Sequence, residues 1–461
     1  MRPNDPDAPE PQEGVIPFAD YDDLLAASTA NDDPVDFAID ELDRGRTAPT
    51  PNIDAAAPVQ PADPEPAPPN PEPPARLASI DAYRGFVMFL MMAEVLRLCA
   101  MAKKFPGSRF WELLCEHQTH VDWIGCSLHD LIQPSFSFLV GVALPFSIAS
   151  RRAKGQSTAW MSLHAFQRAV VLTLLGVFLR SVGHDQTRWT FEDTLSQIGL
   201  GYGFLFLLGL ASVRTQVIAL VVILVGYWAA FAAYPLPSAD FDLKAVGVSP
   251  DAEHIMTGFQ AHWNKNTNIA WKFDTWFLNQ FPRKAVWTHN GGGYSTLSFI
   301  PTLGTMILGL LAGGLLRAGG SRWGKVGILI LAGGLALGAG YGLGMLGVCP
   351  VVKKIWTPSW TLFSGGWAFL FLAGFVLFVD LFRLRPLFYP LIVIGANSIA
   401  AYCLSHLIED FIESSIRTHF GAEIFQAFGA EYEPIVRGAA ILGVLWLILW
   451  WMYRKKLFVK I

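Results

Sequence analysis

Long apolar runs alternate with short polar segments from about residue 83 to the end of the chain. About ten of these runs come near the ~20 residues that a helix needs to cross the hydrocarbon core of a bilayer. They fall at roughly 83–101, 131–150, 166–182, 195–213, 217–233, 297–316, 326–346, 362–381, 391–412 and 435–453. The pattern predicts an all-α, polytopic membrane protein with about ten transmembrane helices. Residues 1–75 read differently. They hold short acidic clusters (Asp20, Asp22 and Asp23; Asp32 and Asp33) and a Pro/Ala/Glu stretch from 48 to 75. Such a segment has too little apolar surface to offset chain entropy, and its prolines favour extended polyproline II. It is expected to be a disordered acidic tail with one short helix around Tyr21–Ala27, and it lacks the apolar core of a secretory signal peptide. The membrane domain is then 76–461, with an insert at about 235–296.

Composition supports this class. The chain is 52% hydrophobic and 16% charged, whereas soluble domains carry about 25% charge. No patch is basic enough to indicate nucleic acid. Glycine-rich stretches such as Leu308 to Gly314 and Ala332 to Gly340 suit close helix–helix approach. They lack the lysine and the preceding strand of a phosphate loop. The five cysteines, Cys99, Cys115, Cys126, Cys349 and Cys403, have no C-x-x-C spacing, which argues against a zinc or redox motif. Cys115 and Cys126 are either a pair in an extracytoplasmic loop or two free thiols. With the N-terminus inside, Arg151, Arg152, Lys154, Arg214, Arg317, Arg322, Lys325, Arg383, Arg385 and Arg454 to Lys456 fall on the cytoplasmic side. The Lys/Arg bias favours that orientation, with both termini in the cytoplasm and the His120 segment and the insert outside.

The candidate chemistry begins at Thr119. The polar stretch that opens the second apolar run holds His120, Asp122, Trp123, His129 and Asp130, and ionisable groups at a membrane mouth are functional candidates. Three readings compete there. His117 and His120 with a carboxylate could ligate a metal, though Gly125 and the lack of helical period weaken that spacing. One imidazole oriented by a carboxylate could act as a general base. Solvated loop residues are the third reading, and it suits His117 best. Asp81 and Arg84, three residues apart, are either an intrahelical ion pair or a guanidinium facing a phosphate. Asn397 and Ser398 are either interhelical glue or the lining of a tunnel. In the insert, Trp263, Trp271, Trp276 and Trp287 lie among Asn264, Asn266, Asn268 and Asn290. That mixture reads as a sugar-binding surface or as an interfacial aromatic belt.

Several segments together, in order from residue 76 to the C-terminus, carry a resemblance. They are Arg76, Ser79, Ile80, Asp81, Tyr83, Arg84 and Gly85; His120, Trp123 and Gly125; Asp130 to Ile132 with Pro134, Phe136, Phe138, Val140 and Gly141; and Leu195, Gln197, Ile198, Gly199 and Tyr202. Ser295 to Leu297, Gly304, Leu308 and Gly309, then Gly395, Asn397 and Ser398, and the closing Tyr453 to Ile461, complete the set. The chain resembles the transmembrane acetyltransferase family typified by heparan-alpha-glucosaminide N-acetyltransferase and its bacterial relatives. The resemblance implies a membrane acyltransferase of the acetyl-CoA:amino-sugar N-acetyltransferase type. Acetyl-CoA would be taken as co-substrate from the cytoplasm and the acetyl group passed to an amino sugar or glycan outside, with no metal. His120 would be the active-site histidine, as base or as acetyl carrier, with Asp130 beside it. Arg84, Asp81, Asn397 and Ser398 would hold acetyl-CoA, and Asp122, Trp123 and Asn290 the acceptor. The bilayer is then the surroundings, a bacterial inner (plasma) membrane the location, and a homodimer compatible. The other function carried forward is an amino-sugar transporter, which would show internal repeats and broken helices. This chain departs from its relatives at Glu94 and Val95, at Ser196 and Gln197, and at His289 to Gly292.

Overall fold

The computed structural model describes residues 77–249, 252 and 254–459. The expected tail, its helix at Tyr21–Ala27 and Arg76 lie outside them. Among the described residues the chain is mainly helical, and each apolar run is one helix or a bent pair of helices. The first run becomes α1 (Ala78–Met92), a 3-10 turn (Ala93–Leu96) and α2 (Leu98–Lys104), followed by the short α3 (Arg109–Gln118). Then come α4 (Ile132–Ala153), α5 (Thr158–Ser181), α6 (Thr194–Leu210) and α7 (Val213–Ala233). The insert carries α8 (Ile269–Phe277). The remaining helices are α9 (Phe299–Arg317), α10 (Arg322–Met345), α11 (Pro358–Phe375), α12 (Tyr389–Ala396), α13 (Ser398–Leu407), α14 (Glu409–Phe420) and α15 (Glu433–Arg454). Among the described residues, seven helices are long and apolar enough to cross a membrane, nine if each of two bent pairs is one span. The shorter apolar α6 is the remaining run of the expected ten.

Helix starts follow local chemistry. Ser157, Asp193, Ser212, Asn268 and Thr357 each accept a backbone N–H from the first turn of the helix they precede, which satisfies donors that would otherwise be orphaned. Outward faces stay apolar: Val222 on α7 and Leu335 on α10 are exposed, as lipid contact requires. Between helices the close contacts rest on glycine. A Cβ on Gly309 would lie 1.9 Å from the carbonyl oxygen of Phe138, so α4 and α9 touch backbone to backbone. A Cβ on Gly395 would lie 1.9 Å from the carbonyl oxygen of Asp81, which brings α12 onto α1.

Two breaks separate the observed helices from the expected spans. The first run bends by 41° between Leu96 and Leu98, where Arg97 takes a left-handed φ of 49°. Gln118 fills the break, accepting the Leu98 N–H at 2.6 Å and donating to the Ala93 carbonyl at 2.7 Å. The expected ninth span, 391–412, bends by 82° at Asn397 and ends at Leu407. The cause at the bend is polar. The Asn397 amide donates to the Leu457 carbonyl at 3.0 Å and its oxygen accepts the Val459 N–H at 3.2 Å. The chain after α15 therefore straps across the bend.

Candidate functional site

The polar segments gather at one end of the bundle. The loop 119–128 meets the loop 346–357 through a bridge between Ile124 and Val352 and through the Gly125 N–H, which donates to the Val351 carbonyl at 3.1 Å. Gly125 has φ +124°, a conformation that a side chain would strain. The opposing loop is held by Thr357, whose hydroxyl donates to the Pro350 carbonyl at 2.8 Å and accepts the Val352 N–H at 3.1 Å. The insert joins through Trp123, whose indole donates to the Trp263 carbonyl at 3.0 Å.

That clamp brings His120, Asp130 and Lys353 together. His120 Nδ1 lies 2.8 Å from Asp130 Oδ1. Lys353 Nζ lies 3.2 Å from the same oxygen and 3.0 Å from His120 Nδ1. The other oxygen of Asp130 accepts the N–H groups of Val121 at 3.2 Å and Ser127 at 3.0 Å. An ionised carboxylate only accepts and an ammonium only donates, so Lys353 donates to Asp130. His120 Nδ1 accepts from Lys353 if the ring proton is on Nε2 and donates to Asp130 if it is on Nδ1; the second tautomer is the one a base at Nε2 uses. His120 Nε2 is then the ring's free lone pair, and it makes no hydrogen bond among the described residues. The side chains of Asp130 and Lys353 are 1% and 6% exposed, and that of His120 is 40% exposed. Burial pulls the His120 imidazole below its ordinary value. The hydrogen bond to Asp130 opposes this and the Lys353 charge adds to it. Burial also lowers the Lys353 ammonium, against the pull of Asp130. The result is an oriented, neutral imidazole whose open nitrogen faces out of the buried ion pair, the state a base or a nucleophile needs.

Behind His120, the His129 ring lies 4.6 Å away between centroids, tilted by 45°. Its Nε2 is 3.1 Å from Glu94 Oε1 on the turn after α1. Beside the loop, a cleft of about 330 Å³ is lined by Asp122, Trp123, His254, Asn264, Lys265 and Lys354, among others. Asp122 is exposed, 3.6 Å from His254 Nε2. Asn290 stands apart from this lining. Its side-chain oxygen accepts the Tyr294 N–H at 3.2 Å and its carbonyl accepts from Asn266 at 2.9 Å, so it shapes the turn around Gly291 to Gly293. The other insert asparagines are similarly occupied with backbone.

The second group of expected residues also comes together, toward the other end of α1. Asp81 and Arg84 form the i,i+3 pair at 3.4 Å, and Arg84 also donates to the Gly395 carbonyl at 3.4 Å. Asn397 follows two residues on, and Ser398 begins α13. With α1 rising about 1.5 Å per residue, this group lies roughly 15–20 Å from Glu94. Asn397 holds the C-terminal strap by the strap's backbone rather than joining two helices.

Other outcomes concern cysteine and histidine. Cys99 and Cys115 form a disulfide, and Cys126 is free. The pairing of Cys115 with Cys126 is therefore replaced by one that ties α2 to α3, because Gln118 folds those two helices against each other. His117 is exposed on α3. Among the described residues no three of His, Cys, Asp and Glu are arranged to hold a metal.

Lys353 and Glu94 are the groups that reading the sequence missed as site residues. Lys353 carried no assigned role there, and Glu94 stood only as a departure.

The chain is distantly similar to human heparan-alpha-glucosaminide N-acetyltransferase. The two are 23% identical over 433 residues, covering 84% of this chain and 60% of the human protein. This chain therefore spans well under two thirds of that relative's length. No family model matches the chain.

Proposed function

We propose that the protein is a membrane-embedded acetyltransferase that moves acetyl from cytoplasmic acetyl-CoA to the amine of an amino sugar or glycan on the opposite side. The observation that carries this reading is the His120–Asp130–Lys353 group. It holds one imidazole by its Nδ1 against a buried carboxylate and ammonium, with no hydrogen bond to Nε2 among the described residues, in a chain distantly similar to an N-acetyltransferase. His120 Nε2 takes a proton from the acceptor nitrogen as that nitrogen attacks the thioester carbon. Asp130 fixes the ring and Lys353 balances the carboxylate. The adjoining cleft supplies the acceptor subsite, with the Asp122 carboxylate for an ammonium or hydroxyls and Trp123 as its wall. Asn290 fixes the turn that closes the insert over that side.

At the other end of α1, Arg84 is the group for a phosphate of acetyl-CoA, with Asp81 orienting it. Asn397 and Ser398 shape the opening there, Asn397 by anchoring the strap. Orientation has two supports. The Cys99–Cys115 disulfide lies on the His120 side, and disulfides persist in oxidising compartments. Arg151, Arg152, Arg214, Arg317 and Arg322 lie at the opposite helix ends, where the positive-inside rule puts cytoplasm. Both termini are then cytoplasmic, in a bacterial inner membrane.

One observation favours a second reading. The spans at Ala78–Lys104 and Tyr389–Leu407 are broken helices, a feature of secondary transporters, and the solute would then be an amino sugar. The test is acetyl transfer from radiolabelled acetyl-CoA to glucosamine by detergent-purified protein, beside His120→Ala. Turnover that the variant loses while it still binds CoA supports the enzyme. No transfer to a panel of amino sugars, with saturable sugar uptake into proteoliposomes, supports the transporter.

A further inference from the structure

Acetylation of an amino sugar leaves a proton to dispose of. The acceptor arrives as an ammonium, its nitrogen forms a bond to the thioester carbon, and the carbon–sulfur bond breaks. The nitrogen loses two protons. One ends on the departing thiolate as CoA thiol, and the other must reach solvent before His120 can act again. The Nδ1 side of His120 offers no exit, because Asp130 is 1% exposed and already held by Lys353 and two backbone N–H groups.

We propose that His129 and Glu94 are that exit, carrying the proton from His120 to water. The inference rests on the acetyltransferase reading. The ring centroids of His129 and His120 lie 4.6 Å apart, tilted by 45°, so the two imidazoles are in direct contact. His129 Nε2 sits 3.1 Å from Glu94 Oε1. The carboxylate accepts, so Nε2 carries the proton and Nδ1 is an acceptor, with no hydrogen bond among the described residues. Exposure along the path is 40% at His120, 8% at His129 and 56% at Glu94, so the relay passes through a buried ring to an accessible carboxylate while the acceptor covers the open face of His120. His129 takes the proton on Nδ1 and becomes an imidazolium stabilised by Glu94. It passes its Nε2 proton to the carboxylate, which releases it to water. Exchange through water then restores the tautomer.

The groups that face the pair fit this role. Glu94 is faced by His129 and His120 and, from α13, by His406. Glu409 on α14 stands near Glu94, Asp410 and Arg97, and its carboxyl is pushed up to about 8, first by burial and then by Glu94. Burial and Glu94 thus favour the neutral form of Glu409, which limits the negative charge beside Glu94. Asp130 and Lys353 face the His120 end.

The alternative is that the His129–Glu94 contact only ties the turn after α1 to the start of α4. Glu94→Gln separates the two, because a glutamine oxygen still accepts from His129 and cannot carry a proton. In low-buffer conditions, Glu94→Gln is expected to lower kcat about ten-fold, with the KM for acetyl-CoA and the melting temperature unchanged. Added imidazole buffer should restore the rate, and Glu94→Asp should keep part of it. His129→Gln should show the same rescue. Wild-type rates in Glu94→Gln across the pH range where imidazole titrates would overturn the proposal. So would a loss that imidazole does not restore. A wild-type protein that transfers no acetyl would instead refute the acetyltransferase reading, and the exit with it, so the two failures are distinguishable.

Discussion

Asp130→Asn keeps the shape of the side chain and removes its charge, so it probes both the stability and the chemistry of the site. Asp130 is nearly inaccessible and faces Lys353, also buried, at 3.2 Å. Removing one member of a buried ion pair costs about 3–5 kcal/mol, because the other charge is stranded. Burial already lowers the Lys353 ammonium, so deprotonation relieves part of that cost and the lower end, about 3 kcal/mol, is expected. Thermal unfolding in detergent should then fall by roughly 5–10 °C. The chemistry should suffer more. An asparagine amide can turn its NH2 toward His120 Nδ1, which moves the imidazole proton to Nε2 and blocks the base. Acetyl transfer should drop about 10²–10⁴-fold, the usual worth of a positioned base. Adding Lys353→Met to Asp130→Asn removes the stranded cation, so the double variant should recover most of the stability and none of the rate. The reasoning fails if Asp130→Asn melts with the wild type, if the two substitutions destabilise additively, or if Asp130→Asn retains wild-type turnover.

Four further outcomes are expected. The neutral form of His120 is favoured on folding, and the unfolded chain takes up the proton first as pH falls. Activity and the stability contribution of this group should therefore both decline as pH drops below about 6.5. Lys353→Met removes one cause of the depression and should move the acid limb of the pH–rate profile to higher pH. Asp274, buried on α8, has its carboxyl raised to about 7, chiefly by burial. It binds a proton more tightly folded than unfolded, so its contribution is lost as pH rises from about 4 to about 7. Asp274→Asn should raise the melting temperature at pH 8, with an upper bound of roughly 4 kcal/mol, and a destabilised variant would contradict this. The Cys99–Cys115 bond closes a short loop, so reduction should cost about 3 kcal/mol, read as a lower melting temperature with reductant. Gly395→Ala would press a Cβ onto the Asp81 carbonyl. Overpacking of about 1–3 kcal/mol or more should appear as poor expression or early melting, whereas Gly314→Ala, where the space is open, should be silent.

The helices were legible because lipid demands apolar length, and each expected run is helical in the structure, two of them as bent pairs. The breaks were not, because they depend on partners remote in sequence: Gln118 reaching the turn at Ala93, and Asn397 taking the strap at Leu457. Of the site, the proximity of His120 and Asp130 was within reach of a local reading, since ten residues separate them. Lys353 was not. It arrives through the clamp between the loops 119–128 and 346–357, and nothing local marks one lysine of a pair as buried. Glu94 was hidden by its place inside an apolar run, although an acid at that depth is itself a signal. The insert asparagines looked like sugar contacts by composition. Their amides are instead bonded to backbone, which only the fold reveals.

The central claim is transfer between two sides of one membrane through His120. It is tested most directly in sealed proteoliposomes that hold acetyl-CoA on the Arg84 side only and glucosamine on the His120 side only. The account predicts acetylated sugar outside, CoA thiol inside, and neither with His120→Ala. Product formed only when both substrates share one side, or unmodified sugar accumulating inside, would contradict it.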